Sequence, residues 1–124
     1  MTVSEHAEQV ALFRWADLQR TRYPALRLMF AVPNGGARHK ATAGKLKAEG
    51  VKAGVPDVFL PVPSHGYHGL AIELKRAKTP GKPAGRVSEE QRWWLGELAA
   101  VGYCTGLAYG WEQARALIEE YLAL

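Results

Sequence analysis

The sequence predicts an α/β fold, a mixed central sheet flanked by helices, in one domain spanning residues 1–124. Three observations predict it. Apolar residues recur at helical period near both ends of the chain and again after Ser88, while strand-like apolar runs lie between them. Two of those runs, 57–62 and 70–75, are joined only by "PSHGYHG", short enough to make an antiparallel hairpin. A helix then separates the hairpin from a further strand, so the sheet is mixed and its faces are covered by helices.

Each element has its own signals. Residues 4–22 read as a helix striped by Val10, Leu12, Phe13, Ala16 and Leu18. "TVSE" has the spacing of a capping box, with Thr2 as cap and Glu5 reaching back, and Pro24 ends the segment. "LRLMFAV", 26–32, reads as a strand stopped by the turn "PNGG" at 33–36. "KATAGKLKAEG" reads as a short inserted surface helix closing on Gly50. After the hairpin, "AKTPGKPAGRV" at 77–87 carries two prolines and two glycines and reads as a mobile loop. Ser88, spaced for a capping box with Gln91, opens a helix with Trp94, Leu98 and Val101 on one face, ended by Gly102. "YCTGLAY", 103–109, is the next strand. The last helix starts near Trp111 and is striped by Ala114, Leu117, Ile118, Tyr121 and Leu122.

Composition narrows the function. The chain is 48% hydrophobic and 23% charged, ordinary for a soluble globular protein. No apolar run approaches the roughly 20 residues of a membrane span. The first residues, "MTVSEHAEQV", lack the pattern of a signal peptide, so the expected location is intracellular and cytoplasmic. Cys104 is the only cysteine, which excludes an internal disulfide and a cysteine-rich zinc site. P-loop, dinucleotide-binding and G-x-S-x-G patterns are missing, so no small-molecule cofactor is expected. The formal charge of +4 is unevenly spread. No acid interrupts the run of Lys75, Arg76, Lys78, Lys82 and Arg86, and a second cluster joins Arg38, Lys40, Lys45, Lys47 and Lys52. Such faces suit a polyanion or simply water.

The chemistry concentrates in the hairpin. "GVPDVFLPV" opens a strand on Asp57, and "LAIELK" interrupts the next with Glu73 and Lys75. Because side chains alternate along a strand, Glu73 and Lys75 share a face, and Asp57 can lie beside Glu73. Two carboxylates held together repel unless a cation sits between them, and such oxygen ligands suit Mg²⁺. Lys75 is then available to a phosphate or to its attacking water.

"PD … ExK" in this element order resembles the PD-(D/E)XK nuclease superfamily. "PNGG", "GVPDVFL", "HGLAIELKR" and "VSEEQRWWLGELAAVGY" are similar, more narrowly, to the VRR-NUC family, found alone in phages and within larger repair enzymes. The resemblance implies a restriction-endonuclease-like core and a Mg²⁺- or Mn²⁺-dependent deoxyribonuclease that leaves a 5′-phosphate. Asp57, Glu73 and the carbonyl of Leu74 would be its metal ligands, with Lys75 catalytic. The first helix would add an acid and Gln9, the acid being Glu5 or Glu8. The resemblance also implies nucleic-acid contacts from Asn34, Arg38 and Gln91, while the loop residues Arg76, Lys78, Lys82 and Arg86 would hold the phosphate backbone. Gln91 reads equally as a cap, and 33–38 as an ordinary turn. Small relatives resemble junction resolvases, which implies branched DNA and a homodimer. Two other classes stand beside this reading: a non-catalytic nucleic-acid-binding module, and an interaction protein exposing Trp93, Trp94 and Trp111. His65 and His68 read as surface residues of the hairpin tip.

Overall fold

The computed structural model describes residues 4–33 and 40–123, and its elements follow from local chemistry. Helix α1 spans Glu5–Leu18 and is capped by Ser4, whose side chain accepts from the Ala7 N–H at 3.0 Å. The cap is thus Ser4 and not Thr2, which lies outside the described residues, and Glu5 is freed from the expected capping box. Leu12 and Ala16 are buried, but Val10 and Leu18, each two positions from one of them and so on the opposite side of the helix, are exposed, and the helix ends at Leu18, not at residue 22.

The expected strand 26–32 is mostly something else. Pro24–Leu28 forms a 3₁₀ turn, and only Phe30–Ala31 pairs as strand β1. Proline favours the first position of such a turn. The three-residue spacing then drops Leu26 and Met29 into the core, which a strand of opposite alternation would not do. Helix α2, Lys40–Ala48, follows, and Gly50 closes it with φ 96°.

Strands β2 (Val58–Leu60), β3 (Leu70–Lys75) and β4 (Cys104–Tyr109) complete a sheet in the order β1-β2-β3-β4. The first two pairings are antiparallel, and β3 with β4 is parallel. A parallel partner needs a crossover, which helix α3, Glu89–Ala100, supplies. Its N-terminus is the expected capping box of Ser88 and Gln91. Val101 does not join a buried face. It sits at the C-cap, 62% exposed. Helix α4, Trp111–Leu122, ends the chain's regular structure.

Packing explains why every residue of β3 is buried. Helices α1 and α4 pack on each other and on the sheet face that carries Leu70, Ile72 and Leu74. Helix α3 lies instead against β3 and β4. Leu12, Leu60, Leu70, Ile72, Leu74 and Ile118 are essentially inaccessible, and each such side chain contributes about 1.5–3 kcal/mol of burial. Gly106, in register with Ile72, lets this packing close: a Cβ there would meet Leu117 at 2.7 Å.

A second close approach sets the entry to β2. Gly54 has φ 85°, and a Cβ on it would lie 2.7 Å from the Cβ of Glu90 in α3. The Trp94 indole N–H donates to the Ala53 carbonyl at 3.0 Å, pinning the same loop. Beyond it, the Asp57 carbonyl accepts from Val32 N–H at 2.8 Å. The loop before Asp57 is therefore clamped between α3 and the end of β1.

Gly54→Ala should accordingly destabilise the protein by about 1–3 kcal/mol, through left-handed strain and the clash with α3. Gly44→Ala, in an open helical position, should be neutral or stabilise by up to about 1 kcal/mol. Urea unfolding midpoints of the two variants check the contrast.

Candidate active site

The β2–β3 ladder pairs Val58 with Ile72, so one residue further on Asp57 stands opposite Glu73. Directly opposed residues of an antiparallel pair share a face with their Cβ atoms about 5 Å apart. Asp57 is held there by its main-chain neighbour: Oδ2 accepts from the Leu74 N–H at 2.8 Å. Glu73 is 1% exposed, and its Oε1 lies 3.6 Å from the Lys75 ammonium. Its other oxygen, Oε2, is buried and has no hydrogen-bond partner among the described residues.

Electrostatics follow from that burial. The Glu73 carboxyl is pushed up to about 8, first by burial and then by the charge of Asp57, with Lys75 opposing. Asp57 is also raised, chiefly by burial, while the Leu74 N–H pulls it back. Glu5 adds a third negative charge that raises both. An uncompensated buried acid of this kind holds a proton until a cation replaces it.

Glu5 reaches this pair from the first turn of α1. A Cβ on Gly85 would lie 2.6 Å from Glu5 Oε2 and 3.2 Å from Lys75 Cβ, so the loop backbone threads between the two side chains. Glu5, Asp57 and Glu73 line one cleft of about 880 Å³, with α2, the loop 51–54 and the start of α3 as its other walls. Glu8 turns elsewhere. Its Oε1 accepts from the Trp111 N–H at 3.3 Å, which separates the two acids that the sequence left as equals.

The remaining expected residues divide. Gln91 lines the cleft, but its amide oxygen accepts from Ser88 N–H at 2.8 Å, leaving the amide nitrogen for the cleft. Gln9 is half-buried one turn after Glu5 and does not line the cleft. Leu74 is buried, its N–H committed to Asp57. Arg76 is half-buried, whereas Lys78, Lys82 and Arg86 are exposed on the loop 76–87. The tip of that loop is a tight turn, closed by mutual backbone hydrogen bonds of Thr79 and Lys82 around Gly81. Asn34 and Arg38 lie outside the described residues.

Lys47 and Lys52, members of the second basic cluster expected to hold the phosphate backbone, line the cleft. Glu90 lines it too and was not singled out from the sequence, its one signal being that it directly precedes Gln91. His65 stands in the hairpin tip with φ 51°, and His68 packs edge-on against Tyr103, away from the carboxylates. Trp94 is half-buried and Trp93 is 58% exposed.

Oxygen donors dominate the centre. The orphaned Oε2 of Glu73, on the strand face that it shares with Asp57, fits a hard divalent cation. Among the described residues no group of three or more His, Cys, Asp or Glu closes on a metal position. Two carboxylates would thus leave most of an octahedral shell to main-chain, water and phosphate oxygens, the usual arrangement for Mg²⁺.

The raised carboxyls make a pH prediction. In chelator, the native state binds more protons than the unfolded chain between the ordinary Glu range and about 8. The stability contributed by this pair should be full below the ordinary carboxylate range, fall as pH rises towards 8 and level off above it. Glu73→Gln should flatten that decline and exceed the parent protein at pH 8, as read from urea midpoints against pH.

Comparison with known proteins agrees with this fold. The family model of the VRR-NUC domain matches residues 4–111. A solved structure described as a VRR_NUC domain protein superposes with a TM-score of 0.80 at 26% identity, covering 98% of this chain and 90% of that one. No curated protein matches significantly.

Proposed function

Because this chain belongs to the VRR-NUC family, a nuclease-type domain family whose substrate is DNA, we propose that it hydrolyses DNA phosphodiester bonds with Mg²⁺ or Mn²⁺. One observation carries the reading: Asp57 opposes Glu73, whose buried Oε2 has no partner among the described residues, with Lys75 alongside. Asp57 and Glu73 would hold the cation, and the Leu74 carbonyl is a further candidate ligand. Bound there, a divalent ion supplies Lewis-acid polarisation of a phosphate oxygen and a lowered pKa for a coordinated water.

The chain's own groups do the rest. The Leu74 N–H fixes the orientation of Asp57 and so the edge of the site. Lys75, buried and facing Glu73, is placed to donate to the charge that develops on the phosphate. Glu5 is the helix acid within reach of the same centre, suited to orient a water. Lys47 and Lys52 offer phosphate contacts at the cleft, and the exposed Lys78, Lys82 and Arg86 extend them outward. These are backbone contacts and confer shape preference, not sequence preference.

Selectivity for branched DNA and pairing of two copies extend the proposal. The support is a long basic loop on a small domain and the exposed Trp93 on α3. Hydrolysis would leave a 5′-phosphate.

Asp57→Asn and Glu73→Gln should each reduce cleavage to background while DNA binding persists. Lys75→Ala should lower turnover about 10²–10³-fold with metal affinity little changed. The assay pairs gel-resolved cleavage of flap, junction, single-stranded and duplex DNA with calorimetry for Mn²⁺. Wild-type turnover in either carboxylate variant would sink the assignment. A wild-type protein that binds all four substrates and cuts none would instead be a binding module.

The loop makes a separate forecast. Replacing Lys78, Lys82 and Arg86 together by Ala should weaken binding alike on every sequence. The log–log salt slope on duplex DNA should fall by about 0.9 for each phosphate that the loop no longer neutralises. Titrations at several salt concentrations measure it, and an unchanged slope would free the loop from the interface.

A further inference from the structure

Glu8 is 5% exposed, and a buried carboxylate is costly unless hydrogen-bonded. Its partners are not in the cleft. Oε1 accepts from Trp111 N–H, and Oε2 lies over Gly110, where a Cβ would come within 3.3 Å of it. Gly110 is the N-cap residue of α4, with φ 97° and ψ 153° and no side chain to cap with. Glu8 therefore supplies, from another helix, an acceptor for the first N–H of α4, one of the donors that a helix start leaves unsatisfied, and sets its carboxyl against the positive helix end.

That cap is tied to the site. The Gly110 N–H donates to the Lys75 carbonyl at 2.8 Å, so Glu8, the start of α4 and the Lys75 backbone are linked in series. Glu5 precedes Glu8 by one helical turn, and Lys75 ends β3. The Gly85 backbone runs between them, where a Cβ would come within 2.6 Å of Glu5 Oε2 and 3.2 Å of Lys75 Cβ.

We propose that Glu8 is a positioning residue: by capping α4 from α1, it sets the spacing between Glu5 and the Glu73–Lys75 pair. This rests on the nuclease reading above. Displacement of a catalytic group by about 1 Å can cost on the order of 10²-fold in rate. Glu8→Gln keeps an oxygen acceptor at full reach. Glu8→Asp keeps the charge but falls one methylene short, so α1 must shift or the cap must break.

The test measures single-turnover cleavage with Mn²⁺ on whichever DNA the wild type cuts, at a temperature where circular dichroism shows each variant folded. Glu8→Gln should stay within about threefold of wild type. Glu8→Asp and Glu8→Ala should lose on the order of 10- to 100-fold in rate with DNA affinity unchanged. If Glu8→Ala does not fold, Glu8→Asp carries the comparison. Wild-type rates in folded Glu8→Asp overturn the inference, as does Glu8→Gln falling as far as Glu8→Asp. A wild type inactive on every DNA overturns the nuclease reading itself, which is a different result.

Discussion

The hydrogen bond from the Leu74 N–H to Asp57 is the constraint on which the site depends. It occupies one oxygen of a carboxylate that would otherwise swing to solvent, and it does so from the strand that carries Glu73 and Lys75. Two carboxyl groups are thereby kept face to face in a buried setting. The core under β3 tolerates this because Leu70, Ile72 and Leu74 point to the opposite face and are packed by α1 and α4. One strand therefore serves stability on one face and chemistry on the other, which period-two alternation permits.

Helix ends do most of the remaining positioning. The first turn of α1 brings Glu5 to the cleft, and the first turn of α3 brings Glu90 and Gln91. The first residues of α4 receive Glu8. Ser4 and Ser88 fix the phase of their helices, α1 and α3, through side-chain caps, and α4, opened by a glycine, borrows its cap. Elements remote in sequence thus meet the carboxylate pair with little freedom left in their approach.

The hairpin was legible because a short connection fixes register, and register alone puts Asp57 against Glu73. The capping box of α3 and the stripe of α4 were legible for the same reason: their signals are local. What was missed required tertiary information. Apolar content in 26–32 fits a strand or a turn equally, and the packing of Leu26 and Met29 chose the turn. Glu5 and Glu8 sit on the first turns of one helix, so only the location of α4 could tell them apart. Lys47 and Lys52 were legible as a basic cluster, but only the fold shows that α2 and its following loop form a wall of the cleft.

The loop after β3 separates into a base and a tip. Gly85 and the Arg76 carbonyl close the base with a backbone hydrogen bond of 3.1 Å, close against Lys75, while the Thr79–Lys82 turn stands outside it. A closed base insulates the strand that carries Glu73 and Lys75 from whatever is inserted beyond it. Doubling the length of a flexible loop costs only about 0.6 kcal/mol of closure entropy. The reach of this arm is therefore free to vary by insertion at the tip while the geometry of the carboxylate pair stays constant.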